Sequence, residues 1–189
     1  MLNNNKKGNL FVISGPSGAG KGTLRENALN DIKNLVYSIS CTTRKPREGE
    51  VDGVQYRFIT HEKFKEDIEK NLFLEYAHVH ADFYGTLKED VIKELNAGND
   101  VLLEIDVQGA IQVREKMPEA VLIFVAPPSV EELEKRLRKR NTETEENLKL
   151  RLNNALKELE LKDKYDYVII NDDLEKASKE LRKIIDEHR

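Results

Sequence analysis

Nine consecutive residues, Gly15 to Thr23, read GPSGAGKGT and carry the most specific chemistry in the chain. They stand between an apolar run at 9–14 (NLFVIS) and a stretch of helical character. The glycines let Gly15, Pro16, Ser17, Gly18, Ala19 and Gly20 wrap closely around an anion, with the backbone N–H groups of all but Pro16 able to turn inward. The helix that follows adds the positive end of its dipole. Lys21 supplies a full charge suited to the β- and γ-phosphates of a nucleoside triphosphate. One position departs from the pattern GxxxxGK[ST]. Gly22 stands where a hydroxyl residue is usual, and the hydroxyl comes one later, as Thr23. A direct hydroxyl–magnesium bond is therefore not expected. Thr23 is expected at the α-phosphate, and Mg²⁺ on nucleotide oxygens, waters and a carboxylate, with no firm protein ligand. Asp106, ending the apolar run VLLEID, suits that work through water; its plain alternative is a strand-end turn residue.

The elements that must position these residues follow from the hydrophobic pattern. The runs at 9–14, 100–106 and 120–126 are apolar nearly throughout, as expected of parallel strands covered on both faces. Shorter strand-like runs lie at 35–40, 53–59, 72–79 and 166–170. Helix starts are expected where Thr86 precedes Glu89, Ser129 precedes Glu132, Thr142 precedes Glu145 and Asp172 precedes Glu175. Gly98 is placed to end a helix that begins near Leu87. Leu148, Leu152, Ala155, Leu156 and Leu159 recur at helical spacing and make one apolar face. Alternating strands and helices predict an α/β fold, a three-layer P-loop arrangement with a mainly parallel central sheet. Residues 35–86 hold short strand-like runs and little helix, which predicts a small mixed sheet inserted into the core. Residues 127–150 are helical and rich in charge, which suits a mobile lid. The expected organisation is a single domain over 1–189, with its core at 1–34, 87–126 and 151–189.

Bulk properties bound the function. The net charge of the 189 residues is -4, so the overall balance argues against tight binding to nucleic acid or an anionic membrane. Basic residues still cluster locally, around 44–47 and 135–140. A lone cysteine, Cys41, excludes an internal disulfide and a cysteine-only metal site, and it fits a reducing cytoplasm. The N-terminal apolar run is too short for a signal peptide, and no stretch approaches the ~20 apolar residues of a membrane span. The four histidines show no metal-like arrangement.

The segment SCTTRKPREGEVDGVQY (Ser40–Tyr56), the phosphate loop and LLEIDVQGA together resemble guanylate kinases. The resemblance continues through FVAPPSVEELEKRL, NTETEE and VIINDDL, and so covers nearly the whole chain. It implies that GMP is held by the inserted sheet. The phosphate clamp would be Arg44, Arg47, Tyr56 and Tyr84; forked guanidinium groups suit a dianion and tyrosine hydroxyls add neutral donors. The guanine contacts would be Ser40, Glu75, Thr86 and Asp106. A carboxylate such as Glu75 can accept both the N1–H and the exocyclic amine of guanine, whereas adenine has no donor at N1. On the ATP side the resemblance implies Arg136 and Arg140 in the lid, Arg151 behind it and Asn171 near the adenine. Taken alone, Arg136 and Arg140 also fit an exposed charged helix, and Asn171 a turn.

The reaction implied is ATP + GMP giving ADP + GDP, Mg²⁺-dependent and in line, with Lys21, Arg44, Arg140 and Arg151 around the transferring group. The acceptor oxygen is already ionised at neutral pH, so no general base is needed. Use of dGMP and the oligomeric state stay open. Two alternatives remain: a kinase of the same fold acting on AMP or a pyrimidine, and a non-catalytic module of the same family that captures a phosphorylated peptide. Intact Gly20 and Lys21 argue against the second.

Overall fold

The computed structural model describes residues 6–79, 81–139 and 144–189. In chain order the first half holds β1 (Leu10–Ser14), α1 (Lys21–Asp31), β2 (Leu35–Tyr37), β3 (Cys41–Thr42), β4 (Arg57–Phe58), α2 (His61–Glu69), β5 (Phe73–Val79) and β6 (Asp82–Leu87). The second half holds α3 (Lys88–Asn96), β7 (Asp100–Glu104), α4 (Val107–Lys116), β8 (Val121–Ala126), α5 (Val130–Lys139), α6 (Glu145–Leu159), β9 (Tyr167–Ile170) and α7 (Leu174–Glu187).

Five strands form one parallel sheet in the order β2-β7-β1-β8-β9. The central strand β1 is buried at every residue, and its side chains alternate between two apolar layers. Phe11 and Ile13 pack with Leu24 and Ala28 of α1 and with Ala177, Leu181, Ile184 and Ile185 of α7. Leu10 and Val12 pack on the other face with Val91 and Leu95 of α3 and Ala110 and Val113 of α4. These layers are the expected α/β core.

The remaining strands form a second, mixed sheet in the order β4-β3-β6-β5. It has a core of its own, in which Phe64 stacks between Phe73 at 4.3 Å and Phe83 at 5.2 Å. Phe64 belongs to α2, a helix within the region expected to hold little helix. Thr60 caps it, its side chain accepting from Lys63 N at 3.1 Å. The segment lacks the Glu or Gln that completes a capping box, which is why the start is hard to read in sequence.

The other expected caps are partly displaced. Ser129 Oγ does accept from Glu132 N at 3.1 Å. Thr86 caps nothing: it is buried in β6, and α3 starts after Leu87 without a side-chain cap. Asp173 rather than Asp172 caps α7, and Thr144 caps α6, while Thr142 lies outside the described residues.

The first residue of β7, Asp100, pins both ends of the core at the edge remote from the phosphate loop. It is 5% exposed and accepts from Asn9 N at 2.7 Å and from Arg189 Nε at 2.7 Å. Asp100→Ala strands the partly buried Asn9 N–H and removes the pair with Arg189, and should cost about 2–3 kcal/mol. The urea midpoint should fall accordingly with the m-value unchanged. Asp100→Asn keeps one acceptor oxygen and should lose less.

Candidate active site

The phosphate loop follows β1 directly, and Gly20 opens α1 with φ +90°. A Cβ at Gly20 would lie 2.3 Å from Asn171 Nδ2, so backbone angle and space both require glycine here. Asn171 is itself buried just past β9, and its Nδ2 donates to Ala19 O at 2.7 Å. The asparagine therefore braces the loop from behind as well as facing a side cleft lined by Gly18, Gly20, Thr23, Arg136 and Asp172. Lys21 Nζ donates to Gly15 O at 2.6 Å and Pro16 O at 3.0 Å, which keeps its charge folded over the loop. Arg151 Nη2 donates to Ser17 Oγ at 2.5 Å. Arg136 is tied to Glu132 at 3.0 Å and to Asn171 O at 3.1 Å. Arg140 lies outside the described residues.

A cleft of about 460 Å³ opens between this loop and the small sheet, with Lys21 on one wall and Ser40, Tyr56, Glu75 and Tyr84 on the other. The rings of Tyr56 and Tyr84 meet edge to face at 5.8 Å. Arg44 lies over Tyr56, 5.5 Å from its centroid, and makes a two-pronged pair with Glu50 at 2.9 Å on each prong. Glu50 also accepts from Arg47 N at 2.7 Å. The Arg44 bonds, with help from Arg47 N, hold the Glu50 carboxyl down at about 2, and Glu50 raises Arg44 further. The Arg47 side chain is exposed and does not line the cleft.

Glu75 is the buried charge of the site. A bulge places Leu74 as an extra residue between Phe73, opposite Leu87, and Glu75, opposite Thr86. Leu74 packs into the main core, Phe73 into the small one, and Glu75 reaches the cleft. It is 4% exposed, and Thr86 Oγ1 donates to its Oε1 at 2.6 Å. Burial pushes its carboxyl from an ordinary 4.5 to about 7; the Thr86 bond opposes this and the nearby Asp106 adds to it. Asp106 caps α4, its Oδ1 accepting from Gly109 N at 2.7 Å.

Among the lining residues that the sequence does not single out, Tyr37, Glu104 and Glu158 carry polar groups. Glu104 ends β7 beside Ile13 and pairs with Arg25 at 2.8 Å, while Arg25 sits 4.7 Å over the Tyr37 ring. Both oxygens of Glu104 would lie 3.9 Å from a Cβ at Gly22, so this carboxylate faces the position that lacks a hydroxyl. Within VLLEID it read as part of an apolar strand. Its only signal was polarity at the strand's carboxyl end, where open α/β sheets bind ligands. Glu158 on α6 is held above the usual carboxylate range by burial, which Lys21 opposes.

A glycine-rich loop after the central strand of a parallel sheet, with Lys21 folded over it and a cleft between it and a separate small sheet, defines a P-loop protein. The family model described as guanylate kinase matches residues 7–188. A guanylate kinase of Caldanaerobacter subterraneus subsp. tengcongensis is 54% identical over 95% of this chain and 87% of its own. One of Fusobacterium nucleatum subsp. nucleatum is 54% identical over 95% and 96%. The crystal structure of guanylate kinase from Anaplasma phagocytophilum superposes with a TM-score of 0.76 at 34% identity, covering 97% of this chain and 87% of that one. The chain belongs to the guanylate kinase family. Among the described residues no helix is long and apolar enough to cross a membrane, and no His, Cys, Asp and Glu cluster could by itself hold a metal ion.

The raised Glu75 pKa carries a stability signature. The unfolded carboxyl ionises near 4.5 and the folded one near 7, so the folded chain binds the extra proton between them. The stabilisation is full below 4.5 and is lost as pH rises through 7. Comparing urea midpoints of the empty protein and Glu75→Gln from pH 4.5 to 8 isolates it: the wild-type advantage should shrink across this window.

Proposed function

We infer that the protein transfers the γ-phosphoryl group of ATP to the phosphate of GMP, giving ADP and GDP. The observation that carries this reading is one cleft with Lys21 and its loop on one wall and Tyr56, Tyr84 and Glu75 on the other, beside the guanidinium of Arg44. Guanylate kinase relatives at 54% identity over nearly the whole chain support the same substrates.

In this reading the loop N–H groups and Lys21 cradle the ATP phosphates, with the adenine side toward Asn171 and Arg136. Arg44 exchanges Glu50 for the GMP phosphate, and Tyr56 and Tyr84 donate to the same group. Arg47 has to swing inward from its exposed position to join them. Glu75 accepts the guanine N1–H and amine, with Thr86 fixing its free oxygen and Ser40 and Asp106 beside it. An ionised acceptor needs no base, so catalysis reduces to alignment and to stabilising charge on the transferring group. Arg151 stands at the loop to do this. Closure of the charged segment 127–150 excludes water and spares ATP from hydrolysis.

Mg²⁺ enters with ATP and, when bound, neutralises phosphate charge. Carboxylates suit this hard cation, and Glu104, whose oxygens both face Gly22, joins Asp106 as a residue that would hold it; each has one oxygen already engaged, Glu104 by Arg25 and Asp106 by Gly109 N. Cytoplasmic residence is the natural setting for such substrates.

An ATP/GMP turnover assay tests the activity. Lys21→Ala should abolish transfer while leaving the urea midpoint near wild type; near wild-type kcat in the variant would sink the mechanism. Glu75→Gln replaces an acceptor by a donor facing a guanine donor. Bonds to charged groups contribute about 1.5–3 kcal/mol, so GMP should bind roughly 10- to 150-fold more weakly. ATP affinity should stay unchanged, and the GMP-over-AMP preference should shrink. A flat GMP titration removes Glu75 from the site.

A further inference from the structure

We propose that Gln112, on α4 of the core, is a positioning residue that sets guanine specificity by fixing strand β5 from its open edge. The proposal rests on the reading that Glu75 binds guanine. β5 is the last strand of the small sheet and pairs only with β6. Its outward backbone groups at Tyr76 would be left to water. Instead Tyr76 N donates to Gln112 Oε1 at 3.1 Å, and Gln112 Nε2 donates to Tyr76 O at 2.8 Å. The side-chain amide thus occupies the place of a neighbouring strand's peptide, with donor and acceptor both matched.

What this fixes is the residue next door. Gly109 and Gln112 are three apart on α4 and so share a face. A Cβ at Gly109 would lie 2.6 Å from Glu75 Oε2, so the helix presents a bare surface on which that carboxylate rests. Glu75 is therefore set on the helix at Gly109, and the next residue is bonded to it at Gln112. Two successive contacts fix both the sliding and the rotation of β5 against α4, which no single contact does. The same helix packs Ala110 and Val113 against Leu10 and Val12 of β1, the strand that feeds the phosphate loop. Gln112 thus references the guanine-binding carboxylate to the phosphate loop through α4 and β1, without passing through the rest of the small sheet.

The test uses Gln112→Met, which keeps length and removes both bonds, beside Glu75→Gln and the double variant. Steady-state kinetics with GMP and with IMP, which lacks the 2-amine, give the readout. Gln112→Met should raise the GMP KM about tenfold, the effect of roughly one lost hydrogen bond to a charged group. The ATP KM and kcat should stay within about twofold, and the GMP-over-IMP preference should fall. The effect should vanish in the Glu75→Gln background, because neighbours acting through one contact are not additive. A Gln112→Met variant with a lowered urea midpoint but unchanged GMP KM and unchanged preference makes Gln112 a structural brace and overturns the proposal. If Glu75→Gln itself leaves GMP binding unchanged, the assignment of Glu75 fails and the proposal falls with it. If Gln112→Met does not fold, Gln112→Ala removes both bonds while letting water reach the Tyr76 backbone groups, and the same comparisons apply.

Discussion

Two groups that both carry negative charge must meet in one cleft, and the cations that permit this must be held in place beforehand. That constraint organises the site. Each principal cation already rests on an internal acceptor: Lys21 on the carbonyls of Gly15 and Pro16, Arg44 on Glu50, Arg136 on Glu132 and Asn171 O. In the proposed reading a phosphate takes the place of these partners. The two oxygens of Glu50 engage Arg44 as two phosphate oxygens would, so the guanidinium is oriented for an anion before one arrives. Preorganisation of this kind lowers the ordering cost of binding, because the long side chains are already fixed.

The main sheet explains where those groups stand. Its strands are parallel, so their carboxyl ends gather at one edge, which is where open α/β sheets bind ligands. β1 ends in the phosphate loop, β7 in Glu104 and then Asp106, and β9 in Asn171. In the proposed reading the phosphate loop, Glu104 and Asn171 are thereby anchored to buried strands, while Arg136 and Arg151 come from helices α5 and α6. The proposed acceptor-side residues Tyr56, Glu75 and Tyr84 stand on or beside a different sheet with a core of its own, tied to the main core through Leu74.

How much of this was readable in the sequence follows from the range of each signal. The loop and the apolar strands are local patterns, legible because glycine spacing and continuous burial leave few alternatives. Residues whose role comes from a partner far along the chain were less legible. Thr86 fits a cap by its spacing to Glu89, yet its hydroxyl goes to Glu75, eleven residues earlier, because a buried carboxylate outcompetes a solvated helix end. Glu104 was hidden by its apolar neighbours, and its pairing with Arg25 spans 79 positions. Gln112 has no motif at all; its meaning arises only when β5 ends up as an unpaired edge beside α4. The short strands β3 and β4, two residues each, fall below any periodicity.

The burial of Glu75 bears on the proposed preference for guanine. Raising a carboxyl from 4.5 to about 7 corresponds to about 3 kcal/mol disfavouring its ionised form. In an empty cleft near neutrality the group hovers between its two states. A ligand offering two donors returns about 1.5–3 kcal/mol per bond and draws the carboxylate into its charged form. A ligand without a donor at that edge leaves the cost standing. On the proposed assignment, selectivity for guanine arises from desolvation already built into the protein, and Thr86 and the bare face at Gly109 keep the acceptor aimed without supplying a competing charge.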